Sequence, residues 1–120
     1  MAEVLLVILA GGVGAVARSL LDEWLTPRLA RPGRGIVVVN LLGSLALGLV
    51  VGQGRAGALP APWPAVLGVG FCGGFTTFST AAVDAARRLR ERGVGAMLLH
   101  WGTTACGCVL MAVFGLAIAR

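Results

Sequence analysis

The sequence predicts an all-α membrane protein of four transmembrane helices, the third broken near its middle. Three observations carry this reading. Of the 120 residues, 58% are hydrophobic and 12% charged, with a mean hydropathy of +0.91. A soluble domain runs nearer half apolar and a quarter charged. The apolar residues fall into four stretches, about 3–21, 36–53, 63–82 and 95–119, each near the about 20 residues a helix needs to cross the hydrocarbon. All ten basic residues are arginines, clustered between those stretches. The spans and their short connections make residues 1–120 a single membrane domain, placed in the cell inner (plasma) membrane as a multi-pass protein.

The first span begins with "VLLVILA" and is followed by Ala15-Val16-Ala17, which mimics a signal-peptide cleavage site. A signal peptide carries positive charge before its apolar run. Here there is only Glu3, so the segment is expected to stay as the first membrane helix. Gly12-Val13-Gly14-Ala15-Val16-Ala17 also fits the G-x-G-x-x-A of a dinucleotide-binding turn. The next candidate strand, "IVVVN", ends in Asn40 where an acid would hold a ribose. The chain is also too short and apolar for a doubly wound sheet. Glycines that let membrane helices approach closely are the better reading, as for Gly48-x-x-x-Gly52 and Gly70-x-x-x-Gly74.

Pro27 and Pro32 punctuate the connection into the second span, and Pro60, Pro62 and Pro64 the connection into the third. Within the second span, Asn40 is an amide amid apolar residues, where burial demands a partner. The third span interrupts itself with "GGFTTFST", residues 73–80. Two glycines followed by β-branched threonines favour a break in the helix. In lipid such a break is tolerated only when buried in protein or lining a polar cavity. The alternative is an intact helix, its glycines packing a crossing and its threonines bonding back to their own carbonyls.

In the fourth span His100, Thr104 and Cys108 recur at i, i+4 and i+8 and share a face, with Thr103 beside them. Cys72, Cys106 and Cys108 all lie in spans. Cys106-Gly107-Cys108 is no zinc spacing, so most cysteines read as buried apolar side chains. The net charge of +5 and pI near 11.1 do not indicate nucleic acid, because no basic face interleaved with aromatics is present to stack bases. Arginine beside anionic headgroups accounts for the charge.

Three stretches, "GGVGAVAR" at 11–18, the "VVVNLLGSLALG" region ending at Gly48, and "GGFTTFST" at 73–80, give the chain a close resemblance to the Fluc (CrcB) family of fluoride channels. The resemblance covers essentially the whole chain, in order and at family length. It implies an antiparallel dimer of four-helix subunits with two fluoride pathways. It also implies a structural, untransported sodium ion (Na+) held at the dimer centre by the backbone carbonyls of Gly73 and Thr76 from each subunit. Asn40 would donate its amide near the path and Phe78 would offer its ring edge. The hydroxyls of Thr77, Ser79 and Thr80 would add donors, and His100, Thr104 and Cys108 would form a polar track. Arg18 matches the arginine closing the first motif, in a structural role.

Such a lining suits fluoride. The ion is small and strongly hydrated, so a pore must replace its water with N–H, O–H and the positive edge of an aromatic ring. Conduction further asks for weak serial sites rather than a trapping cation. No catalytic residue is implied. A small drug–proton antiporter of similar size would need a carboxylate inside the membrane. The five acids, Glu3, Asp22, Glu23, Asp84 and Glu91, all lie at span ends or in connections.

Two departures keep a non-conducting partner subunit as an alternative. The family usually has a second phenylalanine where this chain has Ala81, and the track opens on His100 instead of the common tyrosine. The arginines also divide unevenly. With four spans, Arg28, Arg31, Arg34, Arg87, Arg88, Arg90 and Arg92 fall on one side and Arg55 and Arg120 on the other. That bias predicts one fixed orientation, with the seven in the cytoplasm. The dimer is then expected to pair this chain with an oppositely inserted homologue, a homodimer being the alternative.

Overall fold

The computed structural model describes residues 1–119; Arg120, counted above in the charge bias, lies outside them. All regular structure among the described residues is helical. Helix α1, Ala2–Leu25, runs unbroken through Gly11–Gly14, so the dinucleotide-turn reading has no strand or turn to stand on. It ends where Thr26 Oγ1 donates to the Asp22 carbonyl at 2.8 Å. A short connection leads through Gly33, in the left-handed region at φ 84°, into α2, Arg34–Arg55.

The third helical segment, α3, covers residues 65–75. It is π-helical over Ala65–Cys72 and α-helical over Gly73–Phe75. Helical geometry then stops. Thr76 is extended (φ −81°, ψ 158°), and the helix resumes only in the run Ser79–Ile118. That run leaves helical geometry once, at Gly93 (φ 84°, ψ 175°). We call residues 79–92 α4 and residues 94–118 α5.

Three helical stretches are long and apolar enough to cross a membrane: Ala2–Leu25, Arg34–Arg55 and the interrupted run Ala65–Ile118. The molecule measures 47 × 27 × 25 Å, against about 40–45 Å for a bilayer with its headgroups. Its side chains are arranged for a non-aqueous solvent. Among the described residues Val39 is the one large side chain fully enclosed, whereas Leu9, Leu99 and Val109 lie on the outer faces at 66%, 70% and 63% exposure.

Small residues set the helix crossings. A methyl group on Gly74 would collide with the Gly11 carbonyl, and one on Gly14 with the Phe71 carbonyl, so α3 lies backbone to backbone on α1. Likewise Gly48 faces the Ala112 carbonyl and Gly115 the Leu45 carbonyl, which seats α5 on α2. Both glycine pairs singled out in the sequence, Gly48/Gly52 and Gly70/Gly74, sit at such crossings.

The sequence favours a break where Gly73-Gly74 is followed by Thr76-Thr77; both glycines are helical and the chain departs from the helix at Thr76. Gly74 makes its close crossing with α1 from the last helical residues before the departure.

Candidate functional site

The site forms around the interruption, and Asn40 builds it. From the second turn of α2, Asn40 Nδ2 donates to the Thr77 carbonyl at 3.0 Å and Asn40 Oδ1 accepts from the Thr77 N–H at 2.9 Å. One amide therefore satisfies both backbone groups of a buried, non-helical residue, as a low-dielectric surrounding demands. The second N–H of Asn40 is left for another acceptor.

The same arrangement frees carbonyls at the end of α3, those of Gly73 and Thr76 among them. In an unbroken helix the Thr77 N–H would bond Gly73 and the Thr80 N–H would bond Thr76. Here the first goes to Asn40 and the second to Thr77 Oγ1 at 3.3 Å. Gly73 is exposed, and a methyl group on it would meet nothing within 4 Å.

Thr77 Oγ1 also lies 3.2 Å from Ser79 Oγ and donates to Thr80 Oγ1 at 3.3 Å. Three hydroxyls thus cluster at the start of α4 and can turn protons outward. Other threonines bond locally: Thr76 Oγ1 to the Cys72 carbonyl at 2.9 Å, Thr104 Oγ1 to the His100 carbonyl at 2.8 Å and Thr103 Oγ1 to the Leu99 carbonyl at 2.7 Å. Both readings offered for the threonines therefore occur, at different residues.

A cavity of about 350 Å³ opens beside the interruption. It brings together Asn40, Gly73, Thr76, Thr77, Phe78 and, from α5, Thr104 and Cys108. Phe78 is 73% exposed and stands edge-to-face with Trp101, ring centroids 6.5 Å apart at 79°. No metal-binding group of histidine, cysteine or acidic residues occurs among the described residues, and the three cysteines are free.

The sequence model of the family described as "CrcB-like protein, Camphor Resistance (CrcB)" matches residues 5–116. The chain belongs to this family. It is 46% identical to the fluoride-specific ion channel FluC 2 of Cutibacterium acnes, over 93% of each chain. It is 44% identical to the fluoride-specific ion channel FluC 1 of Leifsonia xyli, over 97% of this chain and 89% of that one. A FluC 1 of Geobacillus kaustophilus is 34% identical over 97% of both. The CrcB-like relatives named here are ion channels, not enzymes.

Against that background, the remaining site residues of this CrcB-like chain divide. Ser79 and Thr80 touch the site through Thr77 without lining the cavity. His100 lies off it: its Nε2 is 3.2 Å from Asp84 Oδ2, and it borders two other pockets. Arg18 sits on α1, two turns before its end, and lines none of these cavities. Sequence reasoning missed Ser44 and Trp101, which line the cavity. Ser44 was visible four residues after Asn40, one turn along the same face. Trp101 was visible in the same way, three residues before Thr104 and seven before Cys108 on one helical face.

Proposed function

We propose that this chain is a subunit of a fluoride-specific channel that lowers cytoplasmic fluoride by passive export across the cell inner membrane. The carrying observation is the interruption at Thr76–Phe78, held by Asn40 beside a cavity lined with amide, hydroxyl and aromatic-edge donors. The relatives' names supply the ion. In this reading α1, α2, α3–α4 and α5 are four spans, the third being the broken one.

The interruption also argues for a dimer. Lipid cannot bond a freed carbonyl, yet Gly73 is exposed in the single subunit. A second subunit, packed antiparallel against this face, would cover it. Two carbonyls from each subunit, Gly73 and Thr76, would offer four hard, neutral oxygens. That donor set fits Na+, a hard cation that prefers oxygen ligands. When bound, the sodium supplies a fixed positive charge near the pathways. The chain's own residues hold the break open and line the path.

One orientation follows from the charges. Arg34 and Arg55 mark the two ends of α2, about 32 Å apart at 1.5 Å per residue. Arg31, Arg87, Arg88 and Arg92 gather with Arg34 at one end. Positive-inside reasoning puts that end in the cytoplasm, which favours pairing with an oppositely inserted homologue over a homodimer. A non-conducting role in such a pair is the second reading, resting on Ala81 and on the displacement of His100 from the cavity. The experiment is fluoride efflux from liposomes loaded with potassium fluoride and short-circuited by a potassium ionophore, with this chain alone and with a homologue. Fluoride release without chloride release is expected. Equal release of both ions would end the reading.

A further inference from the structure

A second pocket, apart from the cavity at the interruption, takes five of its eight lining residues from arginine. From α4, Arg88 and Arg92 lie one turn apart and Arg87 adjoins Arg88, and all three line the pocket. The 26–33 connection brings Arg31 to the same place, and the first turn of α2 brings Arg34. Gly33 makes the juxtaposition possible. Its φ is 84°, and any side chain there would collide with the Asp84 carboxylate. The resulting pocket is about 380 Å³, with Glu91 and His100 completing its wall.

The charges in it are not balanced. Asp84, 7% exposed, binds Arg87 and Arg88, the latter at 3.0 Å. Among the described residues, Arg31, Arg34 and Arg92 have no carboxylate within 4.0 Å. Five guanidinium groups thus face two carboxylates, Asp84 and Glu91, an excess of three positive charges.

Directly beside this pocket runs an apolar groove of about 440 Å³ between α2 and α5. Its walls are Leu29, Val37, Val38, Leu41 and Gly107 with Thr103 and Thr104, the latter shared with the cavity at the interruption, and Arg34 and His100 border both spaces. A cationic pocket opening onto an apolar groove is complementary to a molecule with an anionic head and a hydrocarbon tail. We propose that this composite site holds one anionic phospholipid. Its phosphodiester lies among Arg31, Arg34 and Arg92, where guanidinium groups can bond phosphate oxygens, and an acyl chain lies along Val37, Val38 and Leu41. The lipid ties the α1–α2 connection to α4 and α5. The site stands whichever ion the protein conducts.

Native mass spectrometry of the purified full-length protein tests this, using phosphatidylglycerol, phosphatidylcholine and inorganic phosphate as separate probes. Phosphatidylglycerol is expected to be retained well above phosphatidylcholine at low salt, with the preference shrinking as salt rises. At about fivefold per arginine, Arg31→Gln with Arg34→Gln should lower phosphatidylglycerol affinity roughly twenty-five-fold. Arg92→Gln alone should lower it about fivefold, and Arg55→Gln, at the far end of α2, should leave it unchanged. Val38→Trp, which fills the groove, should weaken the lipid without altering binding of inorganic phosphate. Equal retention of the two lipids would overturn the proposal. So would retention untouched by the arginine changes, as a covering protein partner would give. Displacement of the lipid by inorganic phosphate, with Val38→Trp silent, would show a phosphate site alone and refute the lipid.

Discussion

Replacing Asn40 by leucine keeps most of the side-chain volume and removes both bonds to Thr77. Thr77 is 8% exposed, so water cannot readily take over from the amide at 3.0 Å and the carbonyl oxygen at 2.9 Å. An unpaired buried donor or acceptor costs about 1–3 kcal/mol. Two of them put the loss at about 2–6 kcal/mol, borne by the interruption in its present form. Amide hydrogen exchange in detergent reads this directly: protection of the Thr77 N–H should fall at least about thirtyfold, since about 1.4 kcal/mol is a factor of ten. Fluoride efflux from liposomes should fall in parallel. Asn40→Asp keeps an acceptor for the N–H but loses the donor, and should lie between leucine and the native residue in protection. If Asn40→Leu left Thr77 protection and protein stability within about 0.5 kcal/mol of native, the amide would not be holding the break.

Gly74→Val should prevent folding, because its side chain would enter the Gly11 backbone, whereas Gly73→Ala should leave the subunit's helices intact, as nothing in the subunit lies near it; circular dichroism and gel filtration separate the two. If Gly73 and Thr76 hold sodium, replacing sodium by N-methylglucamine should weaken dimers and slow efflux in the native protein. Phe78→Leu and Trp101→Leu should each slow fluoride efflux, and a double-mutant cycle on stability should return about 0.5–1.5 kcal/mol for the edge-to-face pair. Cysteine labelling near Arg34 and near Arg55, in cells expressing this chain alone, should report each position from one side only, with Arg34 cytoplasmic; labelling of both positions from both sides would refute a fixed orientation.

The helices were legible because bilayer thickness and hydropathy specify them almost alone. α1 and α2 match the predicted 3–21 and 36–53 stretches, extended at their ends by a few polar residues that hydropathy alone cannot include. The run after the interruption was not legible in the same way. Six of the ten residues 83–92 are charged, so hydropathy ended the third span at Ala82, but α4 continues through Arg92 to the turn at Gly93. The alternation of those charges suits a helix, with Asp84 bonding Arg87 and Arg88 one turn on. At the site, Asn40 and "TTFST" announced themselves as polar groups in an apolar context. Their pairing did not, since which backbone group meets Asn40 depends on how α2 lies against α3. His100 shows the limit of face arguments. It shares a helical stripe with Thr104 and Cys108, yet its side chain turns to Asp84, a partner on another helix that no periodicity reveals.

A common physical demand links the glycines, the asparagine and the inferred dimer. A chain can interrupt a helix at membrane depth only if protein replaces every bond the helix gave up. Gly11, Gly14 and Gly74 bring α1 and α3 together so closely that lipid is excluded from that side. Asn40 satisfies Thr77 from α2, and Thr77 satisfies the first turn of α4. Within the subunit, the face carrying Gly73 and the ring of Phe78 is left uncovered, with Phe78 73% exposed. An apolar ring tolerates lipid, but a freed carbonyl beside it does not. The subunit's own geometry therefore requires something more polar than lipid there, and a second subunit bringing its own interruption to the same place meets the requirement on both sides at once. A stable monomer with an unchanged interruption in lipid, seen as undiminished Thr77 protection at dilutions where no dimer remains, would refute this account of why the break persists.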